Sequence, residues 1–227
     1  MALRTTRALL AALPKPPSPT TPTKQPPALL EVERKFRRLT HPTLLHPPPA
    51  PSPPFHSVLV LPTRRIHDIY YDTPSRLLCA AGAWIRRRDG EWEAKLKRGG
   101  DFVKSRFEEL RGEEEIARCI QGVLGAAGKG ENFGLGKMAE FVTTREAWVV
   151  DGEFKVVRDR MDFGHEVGEV ELEGEFWEGE GVEKGVVMEE MDRRVGEFME
   201  RYKWAWEVEG AVGKLTAYFE MVEGRRK

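Results

Sequence analysis

The sequence predicts an α+β protein in which eight antiparallel strands form a barrel or a strongly curved sheet, with few helices. Strand-like segments follow one another along most of the chain. Asp89-Gly90 and Asp151-Gly152 join neighbouring segments in the way that tight hairpin turns do. Only three segments have helical spacing instead. The strand-like segments are 29–36, 64–71, 82–89, 91–97, 103–110, 138–150, 153–161 and 165–176.

The three helical segments lie between and after these strands. The first begins at Glu113, and the acidic run from Glu113 to Glu115 suits the positive end of a helix dipole. The second covers about 183–200 and the third about 212–222. In the first two, apolar residues recur at the spacing of one helix face. These residues are Ile116, Ile120, Val123 and Leu124 in the first helix, and Met188, Met191, Val195 and Phe198 in the second.

Composition limits the class of protein. The chain has 227 residues, of which 40% are hydrophobic and 32% charged, which suits one large domain with a sizeable core. A formal net charge of −1, from 36 basic and 37 acidic residues, gives no argument for nucleic acid or an anionic membrane. Cys79 and Cys119 are too few for a disulfide framework, which indicates a reduced, intracellular protein. No apolar run approaches the roughly 18 residues of a membrane span.

The amino-terminal residues 1–28 differ from the rest, because they are rich in proline and contain no acidic residue. They are either a disordered tail or a mitochondrial presequence. The cytoplasm is therefore the expected location, with the mitochondrion as the alternative. The basic residues of this segment are Arg4, Arg7, Lys15 and Lys24.

A single folded domain is expected over 29–222, followed by a short tail at 223–227. A second proline-rich stretch, 41–55, lies inside this domain. Proline at that density excludes both a helix interior and a central strand, so the stretch is predicted to be a loop.

The charged side chains sort by strand. Residues two apart on a strand share a face, so charged residues at that spacing lie together on one face of the strand. Two strands have acidic faces and two have basic faces, whereas a surface kept polar for solubility more often mixes the signs. The acidic faces carry Glu31 with Glu33, followed by Lys35, and Glu169 with Glu171 and Glu173. The basic faces carry Arg86 with Arg88, preceded by Trp84, and Lys95 with Lys97, preceded by Glu93.

Two interpretations of these faces are open. The sheet can be an ordinary two-sided one, with its charged faces in solvent. Alternatively, the helices cover the apolar face and the charged face lines an interior. Such an interior needs a ligand that compensates both signs. A polyphosphate with divalent cations does so, because phosphate oxygens meet the basic groups and the cation meets the carboxylates.

Six segments also carry motifs that occur together in one known family. They are E-x-E-x-K at Glu31–Lys35, D-x-Y-Y-D-T-P at Asp68–Pro74, W-x-R-R-R…W-E-x-K at Trp84–Lys95, F-V-T-x-R-x-x-W at Phe141–Trp148, D-F-G…G-E-V-E at Asp162–Glu171, and Lys214-Leu215. In this order they resemble the CYTH, or triphosphate tunnel metalloenzyme, family. The resemblance extends from about 30 to 220. It implies a closed, eight-stranded antiparallel barrel with a polar interior and helices packed outside.

The resemblance also implies a site inside this barrel. Acidic residues would hold Mg²⁺ or Mn²⁺, namely Glu31, Glu33, Glu109, Asp159, Glu169 and Glu171. Basic residues would bind the triphosphate, namely Lys35, Arg86, Arg88, Lys95, Arg145 and Lys214. The catalytic residues are expected to be Glu31, Glu33, Lys35 and Lys95. Trp84 is expected either to stack on a positively charged ring of the substrate or to pack at the rim of the barrel.

Three positions depart from the family pattern. The proline-rich stretch 41–55 stands where relatives have a helix, so the resemblance does not predict how that wall or lid of the tunnel is formed. Phe107 occupies a position where relatives often have tyrosine. Val157, two residues before Asp159, is the other candidate for that metal-binding position, and its side chain could not bind a metal.

The function implied by the resemblance is metal-dependent hydrolysis of thiamine triphosphate to thiamine diphosphate and phosphate. The alternatives are an inorganic triphosphatase or another small-triphosphate hydrolase, a polyphosphate-binding module without catalysis, and a β-rich scaffold with charged outer faces. Adenylate cyclisation also occurs in the family, but the motifs fit it less well. The expected partner is a small-molecule triphosphate, with no nucleic acid and no membrane, and the chain is expected to act as a monomer.

Overall fold

Ten strands and four α-helices form the part of the chain that a computed structural model describes, residues 27–101, 103–125, 130–179 and 181–225. Of the segment 1–28 that is expected to be a tail or presequence, residues 1–26 lie outside the described residues, whereas Ala28 begins the first strand. The last two residues, 226 and 227, also lie outside. Within the described ranges, no helix is long and apolar enough to cross a membrane.

The strands and helices have the following bounds. The strands are β1 (Ala28–Phe36), β2 (Arg38–Leu39), β3 (Val58–Asp72), β4 (Ala83–Arg88), β5 (Glu91–Gly100), β6 (Lys104–Arg111), β7 (Gly136–Val150), β8 (Phe154–Met161), β9 (Glu166–Phe176) and β10 (Trp206–Glu207). The α-helices are α1 (Leu77–Ala80), α2 (Glu113–Leu124), α3 (Lys184–Arg201) and α4 (Lys214–Gly224).

Eight of the strands close into a barrel in the order β1-β6-β5-β4-β3-β7-β8-β9, with β9 pairing back to β1. All of the pairs are antiparallel. The predicted fold class is therefore confirmed. The two Asp-Gly turns are confirmed as well, because Asp89 (φ 51°) and Gly90 (φ 95°) are both left-handed, as are Asp151 (φ 52°) and Gly152 (φ 81°).

Most of the apolar core lies outside the barrel, between the strands and the helices, while a smaller cluster around Tyr70 and Phe141 lies on the inner face of the strands. Helix α3 packs on β1 and β9 with the predicted stripe of Met188, Met191, Val195 and Phe198, all of which are buried. Helix α2 packs against β5 and β6 through Ile116 and Ile120, which are fully buried. Val123, predicted for the same stripe, is instead exposed at the end of the helix.

The proline-rich stretch forms neither helix nor strand, as predicted, and it packs against the outside of the barrel. Phe55 contacts the rings of Tyr202 (4.5 Å between centroids) and Trp204 (5.1 Å). Trp204 also donates its indole N–H to the carbonyl of Pro53 at 3.0 Å. Because the ring of strands is complete without it, this segment is not a missing wall of the barrel.

Five elements differ from the prediction, one of them the short helix α1, which the sequence pattern did not indicate. Strand β3 begins at Val58, six residues before the predicted start at 64, because it pairs with β7 as a long ribbon. The two-residue strands β2 and β10 form a small separate sheet that the sequence pattern did not indicate. Helix α4 continues to Gly224, two residues past the expected end of the domain at 222.

Gly168 marks a close approach between β9 and the ring of Phe36, because a Cβ added at Gly168 would overlap that ring. Phe36 is fully buried and cannot move aside freely. We expect Gly168→Ala to lower the free energy of unfolding by about 1–3 kcal/mol, the usual effect of overpacking. The control is Gly174→Ala on the same strand, where the nearest atom to the new Cβ is Met191 Cε at 3.8 Å. Equal urea unfolding midpoints for the two variants would contradict the prediction.

Candidate functional site

A cavity of about 480 Å³ lies inside the barrel. Its walls come from strands β1, β4, β5, β6 and β9, with further residues from β3, β7 and β8. The segment from Ala211 to Thr216, which leads into α4, forms part of one end. Helix α4 is held there by Leu215 and Tyr218, which pack on an apolar cluster around Phe141.

The charged faces of the strands point into this cavity. Each of the four sets predicted to share a face lines it as a set, while the alternate residues of the same strands face the helices. The interpretation with charged faces in solvent is therefore wrong. The sets are Glu31, Glu33 and Lys35; Trp84, Arg86 and Arg88; Glu93, Lys95 and Lys97; and Glu169, Glu171 and Glu173.

The lining contains the two charge signs in equal number. Among the described residues, nine acidic and nine basic side chains line the cavity. The acidic ones are Glu31, Glu33, Glu93, Asp101, Glu109, Glu169, Glu171, Glu173 and Glu220. The basic ones are Lys35, Arg86, Arg88, Lys95, Lys97, Arg111, Arg145, Lys155 and Lys214.

A cluster of three glutamates surrounds the ammonium of Lys95. Its Nζ lies 2.5 Å from Glu31 Oε1, 3.2 Å from Glu33 Oε2 and 3.8 Å from Glu109 Oε1. Burial raises the pKa of Glu31 well above its usual value; Lys95 opposes this shift, and the neighbouring carboxylates, Glu171 first, add to it. Three carboxylates thus share one ammonium, and this part of the cavity attracts a further cation.

A second group joins the acidic strand β9 to Lys35 and Lys214. Register places Lys35 opposite Glu169, and Lys35 forms a short ion pair with Glu33. Lys214 Nζ lies 3.0 Å from Glu169 Oε2. Burial and the Glu33 carboxylate would raise the pKa of Glu169, but the ammonium groups of Lys214, Lys35 and Lys95 outweigh them and lower that pKa to about 2. Glu169 is therefore ionised at neutral pH.

Asp159 is the one predicted metal ligand that does not line the cavity. It is fully buried behind the wall, and both of its oxygens accept bonds from Arg145, at 2.7 Å from Nε and 2.6 Å from Nη2. Lys214 Nζ lies 2.7 Å from Asp159 Oδ2. Asp159 therefore holds the side chains of Arg145 and Lys214 in place. Val157, on the same face of β8, is also fully buried.

Arg86 and Arg88 form the basic wall opposite the acidic groups. Arg86 donates to Glu93 Oε2 from Nε (3.0 Å) and Nη2 (2.7 Å). Arg88 binds both oxygens of Asp68, at 2.8 and 2.9 Å. Beside them, Trp84 lies edge-to-face with Phe107, with 5.7 Å between the ring centroids. An aromatic pair and a cationic wall therefore meet in one cavity.

The sequence pattern predicts no role in the site for three charged residues of this region. Glu93 shares a face with Lys95, and Asp68 belongs to one of the family motifs. Lys155 carries no sequence motif, but its Nζ lies 2.8 Å from Glu171 Oε2 and 2.7 Å from Glu173 Oε1. Alternation along β8 would have found Lys155, since it shares a face with Asp159. Within the described part of the chain, no histidine lines the cavity.

The donor chemistry of the cavity fits a hard divalent cation. Carboxylate oxygens are the ligands that Mg²⁺ and Mn²⁺ prefer, and five of the six predicted ligands line the cavity. In the described residues, however, no three acidic, histidine or cysteine side chains are already placed to hold one metal ion. Each carboxylate is drawn instead to a lysine or arginine. Metal loading therefore requires carboxylates to turn away from partners such as Lys95.

Comparison with known proteins is consistent with this site. A family model described as the CYTH domain matches residues 29–201. Thiamine-triphosphatase of Macaca fascicularis is 37% identical over 123 residues, which cover 46% of this chain and 54% of that protein. The human thiamine-triphosphatase is 36% identical over 123 residues, with the same coverage. The matched segment thus spans about half the length of these curated relatives.

Two solved structures share the fold. A Hippeastrum protein, described as a candidate adenylyl cyclase with a dominant triphosphatase activity, has a TM-score of 0.50 at 19% identity, covering 84% of this chain and 96% of its own. A candidate adenylate cyclase from Vibrio parahaemolyticus also has a TM-score of 0.50, at 20% identity, covering 86% of this chain and 98% of its own. At this identity the likeness concerns the fold alone.

Proposed function

The chain belongs to the CYTH domain family, as the match over residues 29–201 establishes, and from that premise we propose that it is a divalent-metal-dependent hydrolase of a small triphosphate. Thiamine triphosphate is the proposed substrate, and Mg²⁺ or Mn²⁺ the proposed metal. The proposed partner is the small-molecule triphosphate, and we expect the chain to act as a monomer, without nucleic acid or a membrane.

The charge balance of the cavity is the observation that carries this proposal. Nine acidic and nine basic side chains line it among the described residues, so a bare triphosphate would leave the filled cavity strongly negative. Divalent cations that enter with the triphosphate offset this charge. A polyanion with cations therefore matches the lining better than either ion alone.

The proposed metal ligands are the cavity carboxylates Glu31, Glu33, Glu109, Glu169 and Glu171. When bound, a divalent cation supplies positive charge against the phosphate oxygens and helps to orient the attacking water. Asp159 is excluded from this set, because it does not line the cavity and is held behind the wall by Arg145 and Lys214.

The basic residues bind and stabilise the phosphate groups. Arg86, Arg88 and Arg145 present fixed forks of N–H donors, which suit phosphate oxygens. Lys35, Lys95 and Lys214 add point charges from other sides of the cavity. In hydrolysis, a water oxygen bonds to the terminal phosphorus, the bridging P–O bond breaks, and the diphosphate leaves with its electron pair. The basic groups stabilise the charge on the transferred phosphoryl oxygens and on the leaving oxygen.

Trp84 is the proposed contact for the organic part of the substrate. The thiazolium ring of thiamine is positively charged and suits the face of an indole ring. We expect Trp84→Ala to lower kcat/KM for thiamine triphosphate by about 3- to 30-fold, from a cation–π contribution of about 0.5–2 kcal/mol. Turnover of inorganic triphosphate should change less than twofold, and Trp84→Phe should recover part of the loss. Equal losses on both substrates would mean that Trp84 only packs at the rim.

An inorganic triphosphatase is the second candidate, because the charged residues contact phosphate groups and not the organic group. The deciding experiment measures phosphate release from thiamine triphosphate, inorganic triphosphate and ATP, each with Mg²⁺ and with Mn²⁺. The proposal expects thiamine triphosphate to have the highest kcat/KM. Tight triphosphate binding without phosphate release at any metal concentration would favour a non-catalytic binding module instead.

A further inference from the structure

Asp68 on β3 is a buried carboxylate that lies behind the cavity wall. Its side chain is 1% exposed, and it is not part of the cavity lining. Arg88 donates to both of its oxygens, from Nε to Oδ1 at 2.8 Å and from Nη2 to Oδ2 at 2.9 Å. This two-point contact fixes the plane of the Arg88 guanidinium as well as its position.

Asp68 also reaches the second arginine of the wall. Arg86 Nε lies 3.9 Å from Asp68 Oδ1, so one carboxylate lies between two guanidinium groups. These groups repel each other in an interior that water screens poorly. The carboxylate offsets that repulsion and keeps both arginines at fixed positions on the wall.

The pairing of β3 with β4 places these residues next to one another. Asp68 is the register partner of Arg88 on β4, and Tyr70 is the partner of Arg86. The hydroxyl of Tyr70 accepts a longer bond from Arg86 at 3.4 Å. Asp159 has the same relation to Arg145 on the neighbouring pair of strands, where the register also places the two opposite each other. Buried aspartates thus support the basic wall at two places.

We propose that Asp68 is a positioning residue for triphosphate binding, one that acts through Arg88 and Arg86 and does not touch the substrate. The proposal rests on the proposed function for its choice of ligand. It assigns Asp68 neither a metal nor a proton.

An electrostatic role and a positioning role for the Asp68 carboxylate predict opposite results when Asp68 is replaced. If the carboxylate mattered only as a negative charge near an anion site, its removal would strengthen triphosphate binding. If it mattered by holding the guanidinium forks, its removal would weaken binding. Outer partners of a site typically contribute about 10- to 100-fold in affinity or activity. We therefore expect Asp68→Asn to bind an imido-bridged, non-hydrolysable triphosphate at least about tenfold more weakly in the presence of Mg²⁺.

The chain offers a matched control in Asp72, four residues further along β3. Asp72 is equally buried, but it accepts bonds from the backbone of Thr73, Leu78 and Cys79, away from the cavity. Asp72→Asn should lower the melting temperature without changing triphosphate affinity. Mn²⁺ binding without triphosphate should be unchanged in Asp68→Asn, because the acidic groups are formed by other strands.

Two further variants test whether Asp68 affects triphosphate binding through Arg88. Asp68→Glu keeps the charge but moves the oxygens by one methylene, so it should also weaken triphosphate binding. In an Arg88→Met background, adding Asp68→Asn should change the affinity by no more than about twofold, since the main contact is already absent. Calorimetry gives the affinities, and steady-state assays should show the loss in KM more than in kcat.

Several results would overturn the inference. They are triphosphate affinity at or above that of the unmodified protein in Asp68→Asn, unchanged affinity in Asp68→Glu, or an equal loss of affinity in Asp72→Asn. The calorimetry separates this inference from the proposed function. A protein that binds triphosphate but releases no phosphate would contradict the function and leave the role of Asp68 open to the same measurement.

Discussion

Glu33→Gln should reduce phosphate release from thiamine triphosphate, assayed with Mg²⁺, by more than about a hundredfold. Glu33 is 3% exposed and lies between the ammonium groups of Lys35 and Lys95. Loss of an outer partner of a metal site costs up to about a hundredfold, and loss of a ligand should cost more. The amide keeps the shape of the side chain but has no charge for a cation. Manganese binding, followed by electron paramagnetic resonance, should weaken in parallel.

The matched control for this change is Glu140→Gln. Glu140 is a glutamate on β7 that pairs with Lys137 and His67 on the outside of the barrel. It should leave both turnover and manganese binding unchanged. Full activity of Glu33→Gln or of Glu33→Ala would rule out the proposed mechanism.

Arg86→Ala should lose about a hundred- to a thousandfold in kcat/KM, while manganese still binds. A donor aimed at developing charge in a site shielded from water has this order of effect. Arg86 is 7% exposed, and Glu93 and Asp68 hold its guanidinium against the cavity. The acidic groups proposed to bind the cation lie on other strands. Replacing Glu33 should therefore weaken manganese binding as well as turnover, whereas replacing Arg86 should lower kcat/KM alone.

Arg87→Ala is the control for Arg86→Ala, because it changes the next residue on the opposite face of β4. The guanidinium of Arg87 donates to the carbonyl of Gly90 at 3.1 Å and lies over the ring of Trp92, outside the barrel. Its removal should leave kcat/KM within about twofold of the unmodified protein. A loss of manganese binding in Arg86→Ala would contradict the separation of roles.

The strands of the barrel could be predicted because their signals are local. Alternation of charged and apolar residues, together with two Asp-Gly turns, gave eight segments that correspond to the eight barrel strands. The small sheet of β2 and β10 could not be found this way, since each strand has two residues and the pairing joins Leu39 to Trp206 across most of the chain. The start of β3 was missed because Pro62 interrupts an otherwise apolar run.

The site followed from the same alternation where a strand has charges on one face. The acidic and basic sets were found because their period is two, and the barrel brings the sets together. Asp68 and Asp159 could not be placed from sequence, because the pattern gives the face of a residue but not its depth. Both lie on the inner face, yet arginines cover them and separate them from the cavity.

The equal numbers of acidic and basic side chains that line the cavity in the described part of the chain should also affect how the product leaves. Before substrate arrives, carboxylates such as Glu31, Glu33 and Glu169 already have ammonium partners within the barrel. Substrate entry has to separate these partners, and loss of the terminal phosphate lets them meet again. A diphosphate has fewer charges than a triphosphate, so it competes less well with the re-forming ion pairs. We expect that recombination of the protein's own ions helps to displace the diphosphate and to clear the barrel for the next round.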